Sequence, residues 1–147
     1  MNLLTATKTC FKKYAVFTGR ATRSEFWFFT LFRFLFAFAV GAVLGGIIGF
    51  VMGGAAGTAG KPLNPVDLNR NIQVAVNIAT YIQFIFFLLP HLSVAVRRVH
   101  DTGRSGWYLL IPIYGVILMF LKSEPSDNKY GSSSIPVATT VVEPSDL

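Results

Sequence analysis

The sequence predicts an all-α, polytopic membrane protein with three transmembrane helices and an N-terminal amphipathic helix in the membrane interface. Of its 147 residues, 52% are hydrophobic and only 14% are charged. The run from Phe26 to Met52 is almost wholly apolar, with Arg33 as its one charge. As a helix this run would extend about 40 Å, more than the roughly 30 Å hydrocarbon core of a bilayer. Two further apolar runs follow it, so we expect several membrane crossings.

Residues 1–25 are predicted to form a basic cytoplasmic segment. Apolar side chains fall near one helical face and lysines gather on another, namely Leu4, Phe11, Tyr14 and Phe17 against Lys8, Lys12 and Lys13. This pattern is typical of a helix that lies in the membrane interface. A solvated basic arm is the alternative that the composition leaves open.

The transmembrane domain is predicted over residues 26–122, with its first span over about 26–52. Thr22 and Glu25 have the spacing of a capping box, which predicts that the helix starts just before the apolar run. A cleavable signal peptide is the competing interpretation, but the apolar core of such a peptide has only about 7–15 residues. We therefore interpret this run as a retained signal anchor.

The second span is predicted over about 72–96 and the third over about 107–121. Pro65 suits the first helical position ahead of the second span. The third run would cover only about 22 Å as a helix, so a re-entrant segment kinked at Pro112 is the alternative. Residues 123–147 are rich in Ser, Pro and Thr and are expected to form a flexible tail.

The distribution of charge predicts the orientation in the membrane. The chain has 13 Lys and Arg against 7 Asp and Glu, a net charge of +6. Most of the basic residues lie before the first span or between the second and third spans, which favours a cytoplasmic N-terminus. Because the basic residues flank apolar spans, we expect contact with anionic lipids and no nucleic acid.

Five glycines recur every four residues: Gly41, Gly45, Gly49, Gly53 and Gly57. Such a small-xxx-small pattern lets two helix backbones approach closely. We expect this glycine face to pack against another helix. The partner helix belongs either to this chain or to another subunit, as in a homo-oligomer or a complex with another membrane protein.

Polar residues also occur inside the spans. Arg33 has three interpretations: it snorkels to the headgroups, pairs with Asp101 or Glu25, or lines a polar cavity. Three polar residues recur at helix-face spacing on the second span: Gln73, Asn77 and Thr80. Such side chains usually form hydrogen bonds across helices, and a solute path is the alternative.

The candidate site is a polar cluster next to the predicted cytoplasmic ends of the spans. Its members are Arg20, Arg23, Glu25, Arg97, Arg98, His100, Asp101 and Arg104. Arginine suits bidentate phosphate binding, so the cluster is either an anion or lipid-headgroup site or a structural polar cluster. We expect Glu25 and Asp101 each to accept hydrogen bonds from arginines of the other part of the cluster, which leaves the remaining arginines for lipid phosphate.

No catalytic, metal or cofactor site is predicted. The neighbours His100 and Asp101 have no nucleophile or second carboxylate beside them in the sequence. Two histidines and a single cysteine, Cys10, are too few for a typical metal site and exclude an intrachain disulfide.

Three segments in this order resemble the bacterial inner-membrane family called domain of unknown function 805: Gly19–Trp27, Arg97–Trp107 and Asn128–Gly131. The resemblance covers about residues 11–131. It implies a small multi-span protein of the bacterial inner membrane whose biochemical activity is unassigned, and it carries over no catalytic residue. The chain departs from the family in its glycine-rich first span and at Ser132–Ser134, where relatives often have an acidic, proline-containing ending.

The sequence therefore favours a non-catalytic membrane component that binds anionic lipid or a protein partner. A small oligomeric transport or channel-like subunit is the alternative, and an enzyme on a lipid-linked substrate is the third interpretation. Transport predicts that Arg33, Gln73 and Asn77 face one wet cavity. Lipid binding predicts that the arginines converge at headgroup depth, and catalysis predicts that His100 and Asp101 share a closed pocket with a third residue.

Overall fold

A computed structural model describes residues 2–57 and 65–134 of the chain. Its helices follow one another in this order: α1 (Leu3–Lys12), α2 (Arg23–Gly57), α3 (Pro65–His100), a 3-10 helix (Gly106–Leu110) and α4 (Pro112–Phe120). Within these ranges the only β pairing is an isolated bridge between Asn128 and Gly131. The all-α class is thus confirmed.

The helices α2 and α3 are long and apolar enough to cross a membrane, over Arg23–Val51 and Leu68–His100. The start of α2 is capped as the sequence predicts, because the N–H of Glu25 donates to the Thr22 hydroxyl over 3.1 Å. Within an 18-residue apolar segment of each helix, the share of residues buried inside the protein is 0% in α2 and 6% in α3. Apolar surface exposed on this scale is typical of helices surrounded by lipid, because the core helix of a soluble protein is mostly buried.

The protein core lies where α1 packs against α2 and α3. The ring of Phe11 is 5.8 Å from that of Phe29 and 5.9 Å from that of Phe87, and the latter two side chains are buried. The Tyr14 hydroxyl donates to the carbonyl of Phe86 over 2.7 Å. Part of the apolar face of the N-terminal segment therefore contacts protein, although Leu4 of that face is 77% exposed.

The third apolar run does not form one continuous helix. The 3-10 helix ends at Leu110, Ile111 lies between the two helices, and Pro112 begins α4. With nine residues, α4 is about 14 Å long, less than half of the roughly 30 Å hydrocarbon core. The N–H of Glu124 donates to the carbonyl of Asp101 over 2.9 Å, so the chain comes back to the point where it left α3. A third full span is not confirmed, and the described ranges contain two candidate spans.

The return segment, which we define as Leu121–Ser134, differs from the flexible tail expected from residue 123. Asn128 and Gly131 exchange two main-chain hydrogen bonds of 3.1 and 2.9 Å. The φ of Gly131 is 139°, a conformation that glycine adopts without a steric penalty. The segment is held in place because its carbonyl groups accept hydrogen bonds from arginines far away in the sequence. The part of the expected tail from residue 135 onwards lies outside the described residues.

Within residues 2–57 and 65–134, the glycine face is not packed closely against another helix. A Cβ atom at any of four of its positions would meet no described atom within 4 Å, leaving aside the local helix backbone: Gly41, Gly45, Gly49 and Gly53. The helices α2 and α3 contact each other through phenylalanines instead, such as Phe36 and Phe87 at 5.3 Å. The surroundings of Gly57 lie outside the described residues. Packing of this face against a second chain stays a prediction.

Candidate functional site

The first element of the site is a buried ion pair between the start of α2 and the last turn of α3. Arg97 Nη1 donates to Glu25 Oε1 over 2.7 Å. Arg97 is fully buried and Glu25 is 6% exposed. The helix cap at Thr22 places Glu25 in the first turn of α2, where a negative charge is also favoured by the helix dipole. The expectation that Glu25 accepts from an arginine of the other part of the cluster is confirmed.

The second element is Asp101, which pairs with two arginines. Arg20 Nε donates to Asp101 Oδ1 over 2.9 Å, and Arg98 Nη1 donates to Asp101 Oδ2 over 2.5 Å. The Ser134 hydroxyl donates to Oδ1 as well, over 2.6 Å. Asp101 and Arg98 are fully buried, and the side chain of Arg20 is 3% exposed. Asp101 therefore joins the segment before α2, the end of α3 and the return segment.

The other hydrogen bonds of Arg20 and Arg98 go mostly to main-chain carbonyls, and Arg98 Nη1 also donates to the Ser123 hydroxyl over 3.3 Å. Arg20 donates to the carbonyls of Ser126 over 2.8 Å and of Glu124. Arg98 donates to the carbonyl of Leu121, which also accepts from Arg23 Nε over 2.7 Å. Because Arg20 and Arg98 are buried and bonded within the protein, they are not available to lipid phosphate, and this part of the cluster is structural. We call the end of the bundle that carries these contacts the basic end.

His100 and Arg104 do not join the ion pairs. The ring of His100 stacks on Tyr130 with centroids 3.8 Å apart, and its carbonyl accepts from Asn128 Nδ2 over 3.1 Å. The Arg104 guanidinium is exposed and lies 5.5 Å from the ring centroid of Tyr114. The described part of the chain contains no group of three His, Cys, Asp or Glu side chains that could hold a metal ion.

Cys10 is also a buried member of the site, although the sequence pattern around it does not predict this role. Its thiol donates to Glu25 Oε1 across 3.9 Å, on the same carboxylate oxygen that accepts from Arg97. Burial, with the nearby Glu25 carboxylate as the second cause, raises the pKa of the Cys10 thiol from 9.0 to about 12. The thiol is therefore protonated at neutral pH and acts as a hydrogen-bond donor, not as a nucleophile.

Other contacts of the basic end were not predicted either. The Ser93 hydroxyl lies 2.7 Å from the carbonyl of Val16 and 3.0 Å from that of Lys13, and so ties the segment after α1 to α3. Glu124 accepts a 2.8 Å hydrogen bond from Asn128 through its side chain. The one sequence signal for the return segment was the Asn128–Gly131 motif, whose turn closes that segment.

An exposed basic pocket lies next to the buried ion pairs. It has a volume of about 460 Å³ and is lined by Arg23, Lys122, Ser123 and Pro125. Trp27, one turn further along α2 than Arg23, packs on Phe120 with ring centroids 4.8 Å apart. Basic groups next to exposed aromatic rings are typical of the membrane interface.

Several of the polar residues on α2 and α3 line a cleft between these two helices. Its volume is about 460 Å³, and Arg33, Gln73, Thr80 and Gln83 contribute to its wall. Asn77 does not line this cleft. Of the three residues that the transport interpretation places in one wet cavity, Arg33 and Gln73 line this cleft.

Comparisons with known proteins agree with the motifs. A family model described as "Protein of unknown function (DUF805)" matches residues 14–132. Inner membrane protein YhaI of Escherichia coli (strain K12) is 34% identical over 128 residues, which cover 82% of this chain and 87% of that protein. Inner membrane protein YhaH of the same strain is 32% identical over 127 residues, with 82% and 88% covered. No solved structure matches the chain significantly.

Proposed function

The chain belongs to this family of unknown function, and from that premise we propose that it is a non-catalytic component of the inner membrane that binds anionic lipid headgroups at its basic end. Its relatives are named as inner membrane proteins. Its two long apolar helices suit the same location. The observation that carries the proposal is the exposed pocket of Arg23 and Lys122.

The pocket is suited to a phosphate group because its arginine has donors to spare. Nε of Arg23 donates to the carbonyl of Leu121, and its two terminal nitrogens have no hydrogen-bond partner within residues 2–57 and 65–134. Lys122 adds a second positive charge, and Ser123 lines the same pocket. Arginine and lysine near a membrane surface attract anionic lipids by about 1 kcal/mol per residue.

The same proposal includes the orientation in the membrane. With two spans, the segment before α2 and the return segment lie on one side, which the positive-inside rule favours as the cytoplasm. A cysteine at position 12 or 104, introduced into a Cys10→Ala background, tests this side. An impermeant thiol reagent should label both positions in inverted membrane vesicles and neither in intact cells. Labelling of either position in intact cells would contradict the orientation.

The lipid proposal is tested with the protein in nanodiscs of mixed phosphatidylcholine and phosphatidylglycerol. Native mass spectrometry counts the phosphatidylglycerol molecules that the protein retains. Arg23→Gln/Lys122→Gln should weaken retention by about 2 kcal/mol, roughly 30-fold, because two charges are lost. Lys8→Gln/Lys12→Gln, which removes two exposed charges from α1, is the matched control and should retain the lipid. Equal loss in both variants, or no loss in the first, would contradict a specific pocket.

A small transport or channel-like subunit is the second candidate. The cleft that brings together Arg33 and Gln73 supports it. Reconstitution into liposomes with an entrapped anionic dye tests this candidate. A leak that disappears in the Arg33→Gln variant would favour transport over lipid binding.

A further inference from the structure

Arg33 occupies an unusual position, because it lines two clefts between α2 and α3. The larger cleft, of about 460 Å³, extends along α2 from Arg33 to Ile48. The smaller one, of about 230 Å³, is lined by Arg33 and His91 together with apolar residues such as Leu109. Because α2 starts and α3 ends at the basic end, Arg33 lies at the end of the larger cleft nearest to it. The two clefts thus share one residue, Arg33, inside an otherwise apolar helix segment.

Neither of the two polar side chains at this junction has a hydrogen-bond partner within the described chain. Arg33 forms no ion pair or hydrogen bond there. His91 Nδ1 is buried and has no partner either. Charged groups within a bilayer are almost always paired or in contact with a polar cavity, and a buried polar atom without a partner is costly. The junction is therefore chemically incomplete in the isolated chain.

The carboxylates of the described residues cannot complete it. Glu25 and Asp101 are engaged with buried arginines at the basic end. Glu124 and Asp127 belong to the return segment at the same end. Asp67 lies in the first turn of α3, at the end opposite the basic end. A second copy of the chain in the same orientation would carry these carboxylates at the same two ends and not at the depth of Arg33. An anion from another molecule would complete the junction.

We propose that the two clefts together bind a single-chain membrane amphiphile with an anionic head, either a carboxylate or a phosphate. The head lies between Arg33 and His91, and the hydrocarbon chain follows the larger cleft. From Arg33 to Ile48 the cleft is about 22 Å long, and its volume is in the range of ligand pockets. Its wall between the polar ends is largely apolar, and the hydroxyl of Thr80 donates to its own helix at Val76.

The absence of side chains at Gly41 and Gly45 leaves room for this hydrocarbon chain. Both glycines line the larger cleft, and nothing within 4 Å fills the space where a Cβ would be. Gly46 has the same open surroundings but does not line the cleft. A large side chain at Gly45 therefore blocks the cleft, whereas the same side chain at Gly46 does not.

Binding of defined probes tests the proposal. The protein is reconstituted in phosphatidylcholine nanodiscs, and native mass spectrometry follows the binding of oleate, dodecyl phosphate and, as the neutral probe, oleyl alcohol. We expect one oleate or one dodecyl phosphate per chain and no saturable binding of oleyl alcohol. Arg33→Gln should weaken binding of the charged probes by roughly tenfold or more, since a charged hydrogen bond is lost. Preference between the two charged probes identifies the head as carboxylate or phosphate.

The variants Gly45→Leu and Gly46→Leu test the same proposal if Arg33→Gln does not fold. Gly45→Leu should abolish binding of oleate and dodecyl phosphate, and Gly46→Leu should bind them like the wild type. Equal binding by Gly45→Leu and wild type, or binding of oleyl alcohol as tight as that of oleate, would overturn the proposal. A change in oligomer size in Gly45→Leu with oleate still bound would overturn it too and would favour a second copy on this face.

This inference does not rest on the headgroup pocket at the basic end. Arg23→Gln/Lys122→Gln should leave oleate binding unchanged, and Gly45→Leu should leave retention of phosphatidylglycerol unchanged. Loss of both ligands in either variant would show that the two sites are one, and this would overturn the separate cleft site.

Discussion

Separating Arg97 from Glu25 should be among the most destabilising single changes in this protein. Arg97 is fully buried, and within the described residues its ion pair is the 2.7 Å contact with Glu25. Two other nitrogens of its guanidinium, Nε and Nη2, are buried without a hydrogen-bond partner in the described chain. The substitution Glu25→Leu therefore leaves a buried charge without compensation, which costs about 3–5 kcal/mol.

The double variant Glu25→Leu/Arg97→Met separates this cause from a simple loss of packing. It removes both charges and keeps apolar volume, and such replacements of buried ion pairs are often neutral or stabilising. We therefore expect each single variant to lose about 3–5 kcal/mol and the double variant to regain most of it. Reversible unfolding by SDS in mixed micelles, followed by tryptophan fluorescence, measures the free energies.

Arg104→Met is the control, because Arg104 is exposed and forms no ion pair with the residues that the structure describes. It should change the free energy of unfolding little. The reasoning would be refuted by a double variant that is as unstable as the sum of the single variants. Wild-type stability of Glu25→Leu would refute it as well.

Two further predictions concern the surroundings of this pair. Iodoacetamide at about pH 8 should label Cys10 only after unfolding, because a buried thiol with a raised pKa forms little thiolate. Peptide mass spectrometry measures the labelling. Equal labelling of the folded and unfolded chains would contradict the burial of Cys10. The pKa of the Cys10 thiol is about 12 in the folded chain and 9.0 in the unfolded chain, so the protonated thiol stabilises the fold. This contribution to the free energy of unfolding is complete below pH 9.0 and is lost as the pH rises towards 12. In Cys10→Ala, the free energy of unfolding should not show this pH-dependent decrease. Gly103→Ala should lower the free energy of unfolding by about 1–2 kcal/mol, because the φ of Gly103 is +74°. The new Cβ would also lie 2.6 Å from Glu124 Oε2. The double variant Gly103→Ala/Glu124→Ala should therefore lose the steric contact but keep the backbone strain. Thermal unfolding of the single and double variants measures the two contributions.

The elements that the sequence predicted well are those that depend on local or periodic features. The length of the apolar runs sufficed for α2 and α3, because an apolar helix in a bilayer satisfies its backbone polar groups by itself. The cap at Thr22 was also a local feature, visible as a four-residue spacing. The length of the third apolar run did not predict its structure, because the run is interrupted at Pro112 and the chain then comes back to Asp101.

The candidate site was predicted in part for a similar reason. Arginines far outnumbered carboxylates at one predicted membrane face, and charge balance alone indicated that Glu25 and Asp101 would each serve arginines from elsewhere in the chain. The carbonyl partners of Arg20 and Arg98 could not be predicted, since every residue has a carbonyl group and only the path of the return segment selects those that are used. Cys10 was missed because a lone cysteine on an amphipathic helix has no pattern that shows what it faces.

By itself, the sequence determined the two long apolar helices, their charged flanks and the motifs shared with the family of inner-membrane proteins. These features follow from composition, periodicity and short spacings. Only the tertiary structure decided which carboxylate serves which arginine, that the return segment covers the ion pairs, and that the glycine face borders an open cleft beside Arg33. Those features depend on contacts between residues up to about a hundred positions apart, such as Arg20 and Ser126. A linear pattern does not encode such distances, because they arise only once the helices pack.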